Sequence, residues 1–274
     1  MPSIASSKAF SFLVAIFLSL TTMSVACAAQ TEDRDAYKLR IDAAWWFSNP
    51  TGTFHGSANA GEFDLNKDFH FGSYSTFAGK IDWHFKRRHH FLLGISPVSS
   101  SSSATLTRSI EFQGVTYDVG AKVSANIQSL SFSPGYQYDI IRRNSGYLGL
   151  ATQVFLLNTK ASLTGTGTVN GVSATRTASG SVFSPLPALG PRAMWYPLRE
   201  SSRLSLDGYV MGMYFFGYGD FITAQARLGV AIHRHWTVRV GYQMGNYLDI
   251  HGGSNQIGMR FVQKGPVAGL EASW

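Results

Sequence analysis

The chain has 274 residues, of which 14% are charged and 14% aromatic, with 28 glycines and one cysteine. A soluble domain usually carries about 25% charged residues, so this composition argues against a soluble enzyme and for strands that show apolar side chains to lipid. Lys and Arg number 23 against 16 Asp and Glu. In an exported chain this excess points to anionic lipid headgroups or a solvated basic rim, and not to nucleic acid.

Residues 1–29 read as a secretory signal peptide and 30–274 as one barrel domain. Lys8 is the only charge of the leader, Phe10 to Leu20 is nearly all apolar, and Ala26-Cys27-Ala28-Ala29 offers small residues for cleavage. The apolar stretch is too short to cross a bilayer as a helix, and no later stretch is long and apolar enough. Ser24 and Val25 fit lipid modification of Cys27 poorly. Cleavage after Ala28 or Ala29 leaves no cysteine, which excludes disulfides, thiol catalysis and thiolate metal sites.

Period-two alternation, the mark of a strand, begins at Tyr37. One face then reads Tyr37, Leu39, Ile41, Ala43, Trp45, Phe47; the other reads Lys38, Arg40, Asp42, Ala44, Trp46. Next, Phe77, Ile81, Trp83 and Phe85 alternate with Lys80, Asp82 and His84. Further on, Leu130, Phe132, Tyr136, Tyr138 and Ile140 face away from Ser129, Ser131, Ser133, Gln137 and Asp139. Ile222 to Ile232 and Trp236 to Met244 repeat the pattern, with Arg227 and Arg239 on their polar faces. The pattern predicts about ten antiparallel strands, at 37–48, 74–86, 90–106, 122–141, 147–168, 172–198, 203–217, 220–232, 236–249 and 256–274, with eight or twelve as alternatives. Residues 50–73 are open: Phe63-Asp64-Leu65 is a further strand, a loop or an inward plug. Leu270, Ala272 and Trp274 alternate up to the last residue, whereas Met259 and Phe261 have the other parity. A bulge near Gly265-Pro266 would restore the phase.

Turns alternate in length. Short basic turns lie at Lys86–His89, Arg142–Gly146, Arg199–Arg203 and His233–His235; longer segments rich in Ser, Thr, Gly and Asn lie between them, with hairpin signals at Asn170-Gly171 and Gln113-Gly114. Short turns on one side and long loops on the other are the pattern of an up-and-down transmembrane β-barrel, the short turns being periplasmic. A soluble barrel also alternates. Three features favour the membrane form: aromatics near strand ends, expected as an interfacial girdle of Tyr37, Trp83, Tyr138, Tyr196, Trp236 and Trp274; glycines on the polar face; and the terminal Leu270-x-Ala272-x-Trp274, expected as the signal read by a barrel-assembly machinery.

The chain resembles small Gram-negative outer-membrane β-barrel proteins. The resemblance rests on the leader, on Asp82-Trp83-His84-Phe85-x-x-Arg88-His89 at a strand-to-turn junction, on Pro185-Leu186-Pro187-Ala188-Leu189-Gly190 entering a strand, and on Gly265-Pro266 leading to Gly269-Leu270 and Trp274. It implies a place in the outer membrane among lipopolysaccharide and phospholipid, and assures no activity. The terminal aromatic in such proteins is more often Phe.

The polar face carries both signs of charge: Lys38, Arg40, Lys80, Arg227 and Arg239 against Asp42, Asp82, Asp139, Asp207 and Glu271. Buried charges are costly unless paired, so these residues predict an ion-pair network filling the lumen and a structural or surface-interaction role. A strongly selective pore would line itself with one sign; a narrow passive pore is the alternative. A lipid-modifying enzyme is the third reading. His55, His70 and His251 with Ser57, Ser73, Asp220 and Asp249 are its candidates, but no spacing joins them into a triad. His89-His90 and His233-x-His235 could hold Zn or Cu; on strand turns they read as basic decoration. No metal or other cofactor is expected. Arg87, Arg88, Arg142 and Arg143 are expected to meet inner-leaflet phosphates.

Overall fold

Thirteen antiparallel strands succeed one another in the described residues: β1 (Leu39–His55), β2 (Glu62–Asp64), β3 (Tyr74–Lys86), β4 (His89–Thr105), β5 (Ile110–Phe112), β6 (Val115–Tyr117), β7 (Lys122–Arg143), β8 (Gly146–Val169), β9 (Val172–Trp195), β10 (Leu204–Phe215), β11 (Gly219–His233), β12 (Trp236–Ile250) and β13 (Gly258–Ser273). The computed structural model describes residues 37–56, 62–169, 171–197, 203–215, 219–250 and 257–274. The leader 1–29, Ser57, the turn 198–202 and His251 lie outside them.

The ten long strands form a ring. Each pairs with its neighbour, and β1 closes it by pairing with β13 on one side and β3 on the other. Ile41 faces both Ala272 and Ile81 across these two ladders. Closure removes the unpaired edges that an open sheet would leave in a bilayer. Ile41, Trp45, Phe77, Phe91, Leu130, Phe132, Leu150, Ile222, Leu228 and Leu270 are exposed on the outer face, which is the band a lipid-facing barrel presents.

The inner face changes character along the strands. At the short-turn end it is polar and charged. Towards the long loops it becomes apolar: Phe54, Leu157, Leu163, Val182, Met259 and Phe261 are buried there. The segment after β1 turns into this space. β2 pairs with the end of β1, Phe54 opposite Phe63, and Phe63, Leu65, Phe69 and Phe71 are buried in the same cluster. The β5–β6 hairpin adds Ile110, Phe112 and Tyr117. Its two-residue turn places Gln113 at φ 50° and Gly114 at φ 74°, the paired positive angles of a type I′ turn. Phe63 packs edge-on against Phe69 and Phe112, a preferred aromatic geometry.

The parity of Met259 and Phe261 therefore has a different cause from a bulge. The β13 ladder runs in one register from Ala272 to Phe261 against β12, with no shift at Gly265-Pro266. The two residues point inward because the upper lumen is apolar.

Bulges occur next to the short turns, between His84 and Lys86, Asp139 and Ile141, and Ala231 and His233. Each inserted residue reverses the facing of the residues beyond it.

Candidate functional site

Period-two alternation delivers one side chain per strand to each level of the lumen. At the short-turn end this gathers Arg40 and Asp42 from β1, Asp82 and His84 from β3, His90 from β4, Gln137 and Asp139 from β7, Arg192 from β9, Asp207 from β10, Arg227 from β11, Arg239 from β12 and Glu271 from β13. These side chains sort into two groups.

The first is built on guanidiniums. Arg239 grips Glu271 with Nε and Nη2 at 2.6 and 2.8 Å, and reaches Asp207 with Nη1 at 2.6 Å. Arg227 donates Nε and Nη2 to the other Asp207 oxygen at 3.1 and 3.0 Å, and Nη1 to Asp42 at 2.5 Å. Arg40 Nε lies 3.2 Å from Glu271. Two-pronged Arg–carboxylate contacts are the strong form of this interaction.

The second is built on His90, which is fully buried. Its Nδ1 lies 2.8 Å from Asp82 Oδ1 and its Nε2 3.0 Å from Asp139 Oδ2. Gln137 and Arg142 donate to Asp139 at 2.7 and 3.0 Å. Arg192 reaches Asp82 Oδ2 at 3.1 Å. The hydroxyl of Tyr37 donates to the same oxygen at 3.3 Å. The ring of Tyr37 stacks on His84 at 4.1 Å, and the Arg40 guanidinium lies 3.8 Å from its centroid.

Several sequence-based placements differ from these positions. Tyr37 belongs to the interior and not to a lipid-facing girdle, because β1 begins only at Leu39 and a bend at Lys38 breaks the alternation. The same bend leaves Lys38 exposed and outside the network. Tyr196 comes after the end of β9 and is buried with Tyr147 and Met194; Trp195 is the exposed aromatic there. Lys80 lies inside the barrel but meets no carboxylate among the described residues. It stands opposite Asp42, whose carboxylate Arg227 has taken; its Nζ instead donates to Gln225 at 2.8 Å. Arg142 leaves the basic turn, since the bulge before Ile141 swings it back onto Asp139. Trp83, Tyr138, Trp236 and Trp274 are exposed on the outer face, as is Leu270; Ala272, paired with Trp236, is buried.

Arg192, His84 and His90 escaped the sequence reading as partners in one group. The usable clue was Asp82-x-His84 on one arm of a hairpin, with His90 opposite His84 on the other. The His89-His90 pair divides, His89 Nδ1 reaching the Tyr136 hydroxyl at 2.6 Å while His90 points inward.

Between the charged level and the apolar one lies a cavity of about 70 Å³, lined by Trp46, Lys80, Ser129, Ser131, Ser133 and Gln243 among others. It has room for a few waters at about 10–15 Å³ each. At the long-loop end, Arg108 clamps Asp68 with Nε and Nη2 at 2.8 and 2.6 Å. Burial alone would raise the Asp68 carboxyl. The hydrogen bonds from Arg108 and from the Asp64 amide outweigh it and hold Asp68 below the usual carboxylate range.

The described catalytic candidates fall in three places along the chain; Ser57, His251 and the side chain of Asp249 lie outside the described residues. His55 ends β1 with its ring against Gly258, His70 and Ser73 are exposed in the loop before β3, and Asp220 is the second residue of β11.

No protein-family model and no curated protein matches this chain. Solved structures do. The outer membrane protease OmpT from Escherichia coli is 11% identical, with a TM-score of 0.59 over 86% of this chain and 96% of its own. The translocator domain of the autotransporter NalP from Neisseria meningitidis is 13% identical, covering 98% of this chain and 97% of its own at a TM-score of 0.43. The transport unit of the autotransporter AIDA-I from Escherichia coli is 10% identical, covering 94% and 97% at 0.40. At such identities only the fold carries over. With its ring of ten long strands, apolar outer band and short turns on one side, the chain has the fold of the bacterial outer-membrane β-barrel proteins.

Proposed function

We propose that the protein resides in the Gram-negative outer membrane as a barrel with a sealed lumen, serving a structural or surface-interaction role. The observation that carries this reading is the stacking of two unlike obstructions inside one barrel: paired charges of both signs near the short turns, and a packed aromatic cluster near the long loops. A passive pore needs a continuous wet path. Between the two layers lies the small cavity lined by Trp46, Lys80 and Gln243. On this reading the leader 1–29 directs export and is cleaved, an assembly machinery reads the Leu270-x-Ala272-x-Trp274 strand end, and lipopolysaccharide and phospholipid surround the apolar band. The long loops carry whatever contact the barrel makes outside the cell.

Purified, refolded protein added to planar bilayers should insert without discrete conductance steps. Reproducible steps in the folded protein would overturn the sealed lumen. Replacing Phe63 and Phe112 by Ala should allow small solutes deeper into the barrel, read by quenching of an inward probe.

A further inference from the structure

We propose that Asp82, His84 and His90 form a binding site for a transition-metal dication, Zn²⁺ being the best chemical match, at the periplasmic end of the barrel.

The ligand set arises from register. Asp82 and His84 are two residues apart on β3 and share its inner face, while His90 stands directly opposite His84 on β4. One ligand atom from each of the three lies within 4.8 Å of the others. Asp82 Oδ1 is 2.8 Å from His90 Nδ1 and 3.8 Å from His84 Nε2. A tetrahedral Zn²⁺ bonds N and O donors at about 2.0–2.1 Å, which separates them by roughly 3.3 Å. Those two separations lie on either side of that value, and the two histidine nitrogens lie within 4.8 Å of each other, so side-chain adjustment without any change of strand register would bring the three donors onto one metal. Two imidazoles and a carboxylate are donors of the type that Zn²⁺ takes, with a fourth position left for water.

Two further observations point to a metal. His84 Nε2 is buried and has no hydrogen-bond partner, in a side chain only 6% exposed. A buried, unpaired ring nitrogen is unusual in a folded protein, and a metal would satisfy it. His90 also carries the outer support typical of a metal-bound imidazole: its far nitrogen meets Asp139, and Gln137 and Arg142 hold Asp139 in turn. Such a carboxylate fixes ring orientation and strengthens the donor. Tyr37 holds the other side of the cluster, stacked on His84 with its hydroxyl on Asp82 Oδ2. That contact, with Arg192 on the same oxygen, leaves Oδ1 facing the histidines. The nearby guanidiniums Arg192, Arg40 and Arg142 oppose a dication, so the site needs both Asp82 and Asp139 as anions.

The test uses the full refolded barrel without a polyhistidine tag, stripped by chelator and loaded with Zn²⁺ or Co²⁺. One equivalent should survive gel filtration, and bound Co²⁺ should show the intense visible bands of a low-coordinate N/O site. His84→Phe keeps a ring for Tyr37 to stack on and should abolish retention, while His89→Phe and His233→Phe should not. Asp139→Asn should weaken binding by about 10–100-fold. Folding of each variant is checked by heat-modifiable gel migration. Folded wild-type protein that keeps no metal, or folded His84→Phe that keeps a full equivalent, would overturn the proposal.

Discussion

Arg239 holds two carboxylates from one guanidinium, Glu271 with two nitrogens and Asp207 with the third. Removing Arg239 leaves Asp207 with Arg227 alone and Glu271 with Arg40 alone, a buried charge only partly compensated, which costs up to about 3–5 kcal/mol. Arg239→Met should therefore lower stability by that order in urea titrations of the refolded barrel; an unchanged midpoint would mean that the pairing contributes nothing net. A neighbouring glycine matters by what it lacks. A Cβ at Gly149 would sit 2.9 Å from both Asp139 Oδ1 and Gln137 Nε2, so Gly149→Ala must push apart the support of His90 and should cost roughly 1–3 kcal/mol. At the opposite end, the Asp68 carboxyl is held low. Its pair with Arg108 is complete above the unfolded carboxylate pKa of about 3.9 and is lost as pH falls through the lower folded value. Arg108 is half exposed, so the gain is at most about 1 kcal/mol. Proteolysis of the 62–73 segment should quicken on acidification into that range, and Asp68→Asn should remove the pH dependence.

Among the elements, the segment between β1 and β3 has the largest structural consequence. Sequence left 50–73 open between strand, loop and plug. The structure divides it: β1 continues to His55, β2 lies beside it, and Phe63, Leu65, Phe69 and Phe71 enter the apolar cluster. Truncating one such aromatic, Phe63→Ala, should destabilise by about 3–5 kcal/mol, measurable as a lower thermal midpoint of the barrel. The short turns contribute differently. Arg87, Arg88 and Arg143 are exposed, whereas Arg142 is committed to Asp139. Changing the three exposed arginines to Ser should slow insertion into anionic vesicles and leave zwitterionic ones unaffected, each charge contributing about 1 kcal/mol at most. Equal slowing in both lipids would locate their effect in folding instead.

For the whole molecule, everything depends on which side of the sheet faces lipid. Ile81, Val240 and Leu270 share the outer parity of their strands. Spin labels at these positions should relax with dissolved oxygen and ignore aqueous nickel complexes; three wet sites would reverse the assignment of inside and outside. Closure through β1 and β13 joins residues from opposite ends of the chain, Arg40 to Glu271 among them. Cutting that ladder by removing β13 should therefore cost the fold and the charged layer together, read as loss of heat-modifiable migration.

The amino-acid sequence alone determined the strand alternation and the short-turn end and pointed to about ten long strands, because a period of two and basic turn residues are local properties; the closed ring decided between ten and the alternatives of eight or twelve. The sequence could not show which charges pair, since pairing depends on what stands across the lumen at the same level. Nor could it place Tyr37, Lys38 or Arg142, where a bend or a single extra residue reverses the facing side. The tertiary structure decided these points, and it alone brought His84 opposite His90 and set an apolar layer above a charged one. A strand's own pattern tells inside from outside; only the closed ring tells what each inside residue meets.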